Sequence, residues 1–525
     1  MKKFCLMILL LTISCMLVLS SCGNNSTTNA PKATCNNGVM VGQEENGVLS
    51  YLGVPYAKPP IDDLRWKAPQ PAEDSSEEII CDEFGDTALQ YEWPTEQASY
   101  AEKSEDCLSL NIWSSTEGGE NKPVMVWIHG GSLGWGGTTD PIYNGQKFAE
   151  ANPDVMLVTI NYRLGIMAWA DFSEIPGGEA YTDINLGIRD QICALEWIQK
   201  NIEAFGGEPN NVTIFGESSG GASVNTLVAS PVTEGLFHKA IVESGSNCLP
   251  KTKDDAKAFA ELMMETAGCE NMSGMLEISS NKWMELDTEF WLADELPGVV
   301  VDNEIVFEDF EQGMKNAAER GVKLLIGYNG DEDYYFIEEL EGDNKLEQWE
   351  DNHKKTWGSN YEAMPVSGQV LMDEYMQIQL EQGKTKVLGM SEFATDDEGY
   401  YVNKWADAFS SGGGDAYMYY WDVPSTDEKY LKGACHAVDL AYVFNNLDVT
   451  IYTGKNPDKA TAHRVQEAWT NFAKTGNPSI DDVEWLKYSS NDKNVMIITL
   501  KGWKIENNWM KEQRELYKEI KENYL

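Results

Sequence analysis

The chain of 525 residues carries 40 lysines and arginines against 85 aspartates and glutamates, which gives a formal net charge of −45. A surface this acidic repels the phosphate backbone, so the composition argues against a nucleic-acid partner. Hydrophobic residues make up 42% of the chain, with 17 Trp, 23 Tyr and 16 Phe, which is enough for a large core and excludes global disorder.

The N-terminal segment has the layout of an export signal. Two lysines precede the apolar run 4–19, which at about 16 residues is shorter than the roughly 20 needed to span a membrane. The run ends in Leu-Ser-Ser-Cys and resembles the lipobox of bacterial lipoproteins, in which the cysteine is diacylated. We therefore expect a signal peptide over residues 1–21, a lipid anchor at Cys22 on the outer side of the cytoplasmic membrane, and a flexible tether over residues 22–33.

Short apolar runs that alternate with amphipathic helical stretches predict an α/β fold with a mostly parallel central sheet. Residues 190–205 carry one such helical stripe. The longer, more acidic segments 251–320 and 338–430 are predicted to be helices laid over the carboxyl ends of the strands, where such sheets keep their sites. We expect residues 34–525 to form one domain. The predicted strands are residues 124–128, 155–160, 212–215, 240–242 and 323–326.

A G-x-S-x-G sequence follows the third predicted strand, with Ser218 at its centre. A serine between a strand and a helix sits on a strained turn, and its small neighbours let the two arms approach. Its hydroxyl then projects above the sheet at the start of the helix. Because the motif is short, a tight turn without chemistry stays open as the alternative.

A serine nucleophile requires a general base, and the chain has five histidines. His353 and His463 lie in polar helical stretches and are expected to be solvated, and His238 leads into a strand as a structural residue. His129 precedes two glycines, where it can brace a loop of backbone donors. His436 lies in a small-residue loop late in the chain, as the order Ser…acid…His requires, and we select it as the base.

The acid should follow a strand between the serine and the histidine. Asp331, Glu332 and Asp333 come shortly after the strand 323–326, and spacing alone does not choose among them. The developing oxyanion requires backbone N–H donors. The glycine-rich turn after His129 and the N–H group directly after the serine can supply them.

These residues and their surroundings resemble the type B carboxylesterase family, which includes cholinesterases and bacterial p-nitrobenzyl esterases. The resemblance covers about residues 37–487 and implies the α/β-hydrolase fold, with helices on both faces of the sheet and a helical cover over the site. The matching motifs, in chain order, lie at residues 53–60, 104–108, 161–165, 187–191, 205–207, 469–473 and 476–478.

The resemblance also implies the roles of the site residues. Ser218, Glu332 and His436 fall on the family's nucleophile, acid and base positions. The expected activity is serine ester hydrolysis through an acyl-enzyme, on small aromatic or short-chain esters, with no metal or organic cofactor. Amide hydrolysis or acyl transfer by the same triad, or a non-catalytic adhesion domain on this fold, remain the alternatives. The implied oxyanion donors are Gly131, Ser132 and Ser219.

The chain departs from the family pattern at three positions near the site. Ser132 and Ser219 replace the usual Gly or Ala, and both keep their N–H groups. Asp333 replaces the glycine that follows the triad acid. A carboxylate so close is expected to raise the pKa of His436 and to move the activity optimum to alkaline pH.

Ion pairs and disulfides are further implications of the resemblance. Arg163 with Asp190, and Arg65 with Glu105, are expected to form structural ion pairs. The family's first disulfide is in doubt, since the usual partner position of Cys107 holds alanine. The candidate cysteine pairs are Cys81–Cys107 and Cys248–Cys269.

The substrate pocket leaves a weaker trace in the sequence. Trp135, Phe290, Trp291 and Tyr328 are candidates for its wall, although aromatic residues of this kind more often belong to the core or cover. Trp93 lies where cholinesterases place an aromatic residue that holds quaternary ammonium, but the match is too loose to predict choline esters. An apolar cleft would favour small esters.

Overall fold

A computed structural model describes residues 30–90, 102–247, 249–292, 298–337, 340, 342, 344–427 and 433–525. The predicted signal peptide and Cys22 lie outside the described residues. Within the described ranges, no helix is both long and apolar enough to cross a membrane. The same ranges contain no group of His, Cys, Asp and Glu side chains that could hold a metal ion.

The structure has the elements of an α/β protein, in agreement with the sequence prediction. The strands are β1 Lys32–Cys35, β2 Asn37–Val41, β3 Gln43–Glu45, β4 Val48–Pro55, β5 Ser75–Ile80, β6 Thr87–Ala88, β7 Lys103–Ser104, β8 Ser109–Ser115, β9 Lys122–Ile128, β10 Met156–Ile160, β11 Gly207–Glu217, β12 Lys239–Glu243, β13 Lys323–Asn329, β14 Ala416–Asp422, β15 Asn494–Thr499 and β16 Gly502–Asn507. The helices are α1 Gln146–Ala151, α2 Leu186–Asn201, α3 Ser219–Ala229, α4 Lys253–Thr266, α5 Met272–Leu276, α6 Ser280–Leu292, α7 Phe310–Glu319, α8 Lys345–Ala363, α9 Val366–Glu381, α10 Lys386–Ser411, α11 Leu440–Val443, α12 Lys459–Thr475 and α13 Lys511–Tyr524.

A central sheet organises the described residues. Its eleven strands run in the order β16-β15-β14-β13-β12-β11-β9-β10-β8-β4-β3. The seven strands from β15 to β10 are parallel to their neighbours, and antiparallel strands complete both edges. Because the strands are parallel, their carboxyl ends lie along one edge of the sheet, and loops that follow different strands meet there.

Both faces of the sheet are buried, which explains why the parallel strands are apolar runs rather than alternating sequences. In β9, Val126 and Ile128 pack in one core cluster, whereas Met125 and Trp127 pack in the other. The first cluster includes side chains of α2, α3, α7 and α10, and the second includes those of α1, α11 and α12. Each residue of such a strand therefore packs under a helix.

All five predicted strands are present, and the mostly parallel sheet is confirmed. The helix predicted over residues 190–205 begins earlier, at Leu186, and ends at Asn201, where a short 3-10 helix, Ile202–Phe205, continues the chain. The edge strands were not predicted. They pair antiparallel, and they lack the long unbroken apolar runs of the central strands.

The prediction for the segment 338–430 was wrong in part. α10 lies against a face of the sheet, since Val402 and Phe409 pack in the same core cluster as Ile326 of β13. The segment also contains the strand β14, whose sequence AYMYYWD is aromatic and buried over six of its seven residues. Aromatic residues suit both helix cores and central strands, so the pattern did not separate the two.

Both expected ion pairs are present and buried. The Arg163 guanidinium donates to Asp190 through two nitrogens, at 2.6 and 2.8 Å. The Arg65 guanidinium likewise donates to both carboxylate oxygens of Glu105, at 2.5 and 2.6 Å. Such fork-shaped pairs fix two chain segments in one geometry. The Arg163–Asp190 pair fixes the loop after β10 against helix α2.

The candidate disulfides are not formed among the described residues. Cys81 and Cys107 are buried free thiols, and Cys269 is a free thiol as well. Cys248 lies outside the described residues. Burial raises the pKa of Cys81 to about 12, so its thiol is an unreactive core residue.

Candidate active site

Ser218 occupies a sharp turn between the end of β11 and the first residue of α3. Its backbone has φ 57° and ψ −131°, a conformation that non-glycine residues rarely adopt. The turn requires glycine beside it, because a Cβ on Gly220 would stand 2.1 Å from the carbonyl oxygen of Ile128. The strand–turn–helix context and the strain agree with a nucleophile elbow and not with an ordinary turn.

His436 and Glu332 are brought together from two loops that follow neighbouring strands of the sheet. His436 Nδ1 lies 2.6 Å from Glu332 Oε2, and the His436 amide donates to the Glu332 carbonyl at 3.2 Å. The second carboxylate oxygen of Glu332 accepts the amide of Asn329 at 2.7 Å. Glu332 is buried and fixed at both oxygens, so the orientation of the imidazole is fixed as well.

A second carboxylate faces the other nitrogen of the same imidazole. Glu217 Oε1 lies 3.0 Å from His436 Nε2. Burial by itself lowers the pKa of His436, but the carboxylates of Glu217 and Glu332 outweigh it and raise the pKa well above 6.5. The Glu332 carboxylate at Nδ1 and the Glu217 carboxylate near Nε2 thus both favour the protonated form of the ring.

The prediction that Asp333 raises the pKa of His436 is wrong. Asp333 points to helix α8, where its carboxylate accepts the indole N–H of Trp349 and contacts the imidazole of His353. The carboxylate that raises the pKa of His436, beside that of Glu332, belongs to Glu217. Glu217 directly precedes the serine, and only the turn at Ser218 brings its side chain back to the histidine.

More buried carboxyl groups surround the site. Burial raises the pKa of Glu398 to about 8 and that of Asp439 to about 7, and the Asp439 carboxylate accepts the side-chain amide of Asn329 at 3.1 Å. Neighbouring acids contribute to both shifts, Glu332 for Glu398 and Glu217 for Asp439. Both groups are thus held toward their neutral form, and Glu217 and Glu332 remain the carboxylates that favour a cation on His436.

The glycine-rich loop after β9 holds backbone amides beside the serine. Gly131 has φ 108° and Ser132 has φ 52°, and a Cβ on Gly131 would stand 2.1 Å from the carbonyl oxygen of Trp135. The Ser219 hydroxyl accepts the Leu133 amide at 3.1 Å. The serine at position 219 thus ties this loop to the elbow, a contact that alanine cannot make.

His129 braces the same loop, as the sequence predicted. Its Nδ1 lies 2.8 Å from the Gly130 carbonyl oxygen, and its ring stacks on Tyr162 at a centroid distance of 4.5 Å. Burial lowers the pKa of His129 to about 4, so the ring is neutral. Among the residues that the structure describes, no hydrogen bond joins His129 to Ser218.

Of the remaining three histidines, two agree with the prediction and one does not. His463 is exposed, and His238 Nδ1 accepts the Val212 amide at 3.2 Å, both as expected. His353 was predicted to be solvated, and that is wrong. Its imidazole lies 2.7 Å from the Asp333 carboxylate and packs on the Trp349 ring.

A cavity of about 60 Å³ opens above the serine and is lined by Ser218, His436, Glu217 and the loop residues Gly131 and Ser132. Five of the residues in its wall are aromatic. Of the predicted wall residues only Trp135 lines the cavity; Phe290 and Tyr328 are buried in the core. Trp93 and the side chain of Trp291 lie outside the described part of the chain. The other aromatic residues of the wall are Tyr143, Tyr335, Phe336 and Tyr452.

Comparison with known proteins identifies the family of the chain. The model of the carboxylesterase family matches residues 29–517. The chain is 33% identical over 481 residues to the para-nitrobenzyl esterase of Bacillus subtilis, a match that covers 88% of this chain and 93% of that protein. It is 31% identical to pyrethroid hydrolase Ces2e of Rattus norvegicus, with 87% and 83% covered.

Solved structures give the same result. A thermophilic PNB esterase superposes with a TM-score of 0.80 and 30% identity, over 93% of this chain and 100% of that one. Carboxylesterase EST55 of Geobacillus stearothermophilus superposes with a TM-score of 0.79 and 30% identity, over 93% and 99% of the two chains.

The sheet, the elbow and the adjoining loops together define an α/β hydrolase. Its sequence matches place it more narrowly. The chain belongs to the carboxylesterase family, and it is a serine hydrolase of carboxylic esters.

Proposed function

We propose that this chain cleaves esters through an acyl-enzyme on Ser218, with His436 as general base and acid and Glu332 as its orienting partner. One observation carries the proposal. Ser218 and His436 line one cavity, and the Glu332 carboxylate lies 2.6 Å from the His436 imidazole, so the three side chains reach the same part of the fold from separate segments of the chain. Such a constellation assembles the parts of nucleophilic catalysis at a single place.

The proposed oxyanion donors are the N–H groups of Gly131, Ser132 and Ser219. None of the three donates a hydrogen bond to another described residue, so all are available to a ligand. Gly131 and Ser132 line the cavity, and Ser219 follows the serine at the first position of α3. Donors that are fixed before the reaction stabilise the developing charge without reorganisation.

The reaction would proceed in two steps. His436 accepts the hydroxyl proton of Ser218 as the serine oxygen bonds to the ester carbonyl carbon, and the carbonyl oxygen becomes the anion held by the three N–H groups. The tetrahedral intermediate collapses, and His436 returns the proton to the leaving alcohol. A water molecule, deprotonated by His436, then attacks the acyl-enzyme and releases the acid.

The small cavity, with five aromatic residues in its wall, supports short-chain and small aromatic esters as substrates. Its volume of about 60 Å³ accommodates a short acyl group, whereas a long chain requires the wall to move. The test is turnover of p-nitrophenyl acetate, butyrate and octanoate, beside p-nitroacetanilide as an amide. We expect turnover of the short esters, with octanoate and the amide far slower. Faster cleavage of the amide would favour the amidase alternative, and no turnover at all would contradict the proposal.

The pH profile provides a test of the two carboxylates at His436. A general base must be neutral, so kcat/KM should be lost as the pH falls through the raised pKa of His436, at a pH above 6.5. Glu217→Gln removes one of the charges that raise this pKa, and the acidic limb of the profile should move to lower pH. The profile of kcat/KM against pH for p-nitrophenyl acetate measures the shift.

A matched substitution tests the assignment to Glu217. Asp333→Asn removes a carboxylate one residue from Glu332, but Asp333 contacts Trp349 and His353 and not the catalytic imidazole. The acidic limb of this variant should stay in place. A limb that moves in Asp333→Asn and not in Glu217→Gln would reverse the assignment.

We further propose that the chain is exported and anchored on the outer side of the cytoplasmic membrane by lipid on Cys22. The support is the sequence alone: a basic start, an apolar run, the Leu-Ser-Ser-Cys ending and a polar tether. A two-chain anchor holds a protein stably in a bilayer, whereas a single chain binds only marginally.

The anchor can be tested in a bacterial host that expresses the full chain. Wild-type protein should sediment with membranes and incorporate radiolabelled palmitate, and Cys22→Ser should lose the label and appear in the soluble extracytoplasmic fraction. Cys35→Ser is the matched control, since Cys35 is buried in β1 and should leave the label unchanged. Unlabelled wild-type protein in the soluble fraction would contradict the proposal.

A further inference from the structure

A short 3-10 helix, Glu332–Ile337, carries both the proposed triad acid and part of the cavity wall. Tyr335 and Phe336, which we call the aromatic wall, line the cavity and face the imidazole of His436. Their ring centroids lie 5.4 and 6.1 Å from that imidazole. Phe336 is 42% exposed, so it lies at the rim of the cavity.

Helix α8 holds this segment from outside. The Asp333 carboxylate accepts the Trp349 indole N–H at 2.7 Å, and the same oxygen lies 2.7 Å from His353 Nε2. The Tyr334 ring stacks on Trp349 with an interplanar angle of 15°. We call Asp333, Trp349 and His353 the clasp. It joins the residue after the proposed triad acid to a buried tryptophan of the next helix.

The contacts of His353 favour its protonated form. Nδ1 lies 2.8 Å from the Trp349 carbonyl oxygen, which can only accept, so Nδ1 carries a proton. Nε2 faces the Asp333 carboxylate, which also favours a proton. Burial lowers the pKa of His353, but Asp333 outweighs it and raises the pKa above 6.5.

Asp333 is the described charged group that acts on His353 from a neighbouring element. On α8 itself, the adjacent Lys354 points to the carboxylates of Glu350 and Asp351, at 3.3 and 3.2 Å. The charge of the clasp therefore depends on the protonation of one imidazole, that of His353.

We propose that the clasp positions the aromatic wall and thereby sets how strongly the cavity selects the acyl chain of an ester. The inference rests on the proposed function and deepens it. A six-residue 3-10 helix has few internal hydrogen bonds of good geometry, so outside contacts decide where its side chains lie. The clasp grips Asp333, only two and three residues before the wall, and the wall borders the space an acyl chain must fill.

The experiment compares kcat/KM for p-nitrophenyl butyrate and acetate in wild type and in His353→Gln. Glutamine keeps polar atoms but cannot carry the charge. Since each methylene packed against an apolar wall contributes to discrimination, we expect the butyrate-to-acetate ratio to change by about fivefold, with turnover of acetate little altered. Lys354→Gln, which removes one positive charge from the same helix without touching the clasp, should leave the ratio unchanged.

A double-mutant cycle and a pH series separate positioning from general damage. Asp333→Asn should change the ratio as His353→Gln does, and the double variant should add little, because both substitutions break one contact. In wild type the ratio should drift toward the variant value as the pH rises through the raised pKa of His353. The ratio in His353→Gln should not depend on pH over that range.

Thermal unfolding gives a readout independent of activity. A raised pKa means that the clasp stabilises the fold fully below pH 6.5 and loses this contribution as the pH rises through the folded-state pKa. The Tm difference between wild type and His353→Gln should therefore be larger at pH 6 than at pH 9.5. An equal difference, an unchanged ester ratio, or an equal loss on both esters would overturn the clasp. Absence of turnover in wild type would instead overturn the proposed function.

Discussion

Ser218→Ala is expected to lower kcat for p-nitrophenyl acetate by about 10⁶-fold, the order of loss seen when the nucleophile of a catalytic triad is removed. Without the hydroxyl no acyl-enzyme can form, and the oxyanion donors and binding contacts leave only a small residual rate. The steady-state release of p-nitrophenolate at matched protein concentrations measures the loss.

The control is Ser490→Ala, an exposed serine far along the chain, which should keep the wild-type rate. Ser218→Ala should also keep the wild-type circular dichroism, because alanine fits the strained turn as serine does. A folded Ser218→Ala variant that retained a large share of the turnover would mean that another residue performs the attack.

Asp190→Ala is expected to have the largest effect on stability, lowering the free energy of unfolding by about 3–5 kcal/mol. Asp190 is fully buried, and its carboxylate receives two guanidinium hydrogen bonds and one amide hydrogen bond from Arg163. Removal of the acid leaves the Arg163 cation in the core without its counter-charge, so the carboxylate no longer offsets the loss of its hydration. Chemical unfolding followed by tryptophan fluorescence measures the change.

The matched control is a surface pair of the same kind. Arg464 and Asp482 form an ion pair whose acid is 65% exposed and whose arginine side chain is 27% exposed, so water reaches both partners far more than in the buried pair. Asp482→Ala should leave the unfolding curve nearly unchanged. If Asp190→Ala unfolds as the surface variant does, the buried pair does not hold the loop after β10 on helix α2.

Much of this fold was predictable because it depends on patterns that the sequence states directly. β9 and β13 are unbroken apolar runs, which mark strands covered on both faces. The elbow at Ser218 was predictable because a strand, a serine among glycines and a helix are adjacent in the chain. Glu332 was not fixed by spacing among three acids, and only the family resemblance selected it.

The features that the sequence missed depend on contacts between distant segments. The Glu217–His436 contact joins residues 219 positions apart, and the turn at Ser218 rather than any local pattern creates it. Asp333 lies next to Glu332 in sequence, yet its side chain leaves on the other side of the 3-10 helix and meets α8. Adjacency in sequence therefore gave the wrong carboxylate for the pKa of His436.

The position of the aromatic wall was also not predictable from the sequence. Tyr335 and Phe336 follow the proposed acid by three and four residues, so one turn of 3-10 helix places them at the cavity. Aromatic residues that follow an acid do not by themselves predict a cavity wall, since most aromatic residues pack in the core. The signal becomes readable only once Glu332 is taken as the acid and the next turn is known to be helical.

Ser218 can be tested directly as the nucleophile by covalent labelling of the protein with a fluorophosphonate probe, followed by intact mass measurement and peptide mapping. We expect one adduct per chain, on the peptide that contains Ser218, and none on Ser218→Ala. A folded wild-type protein without an adduct, or with its adduct on another serine, would contradict the assignment of Ser218 as the nucleophile.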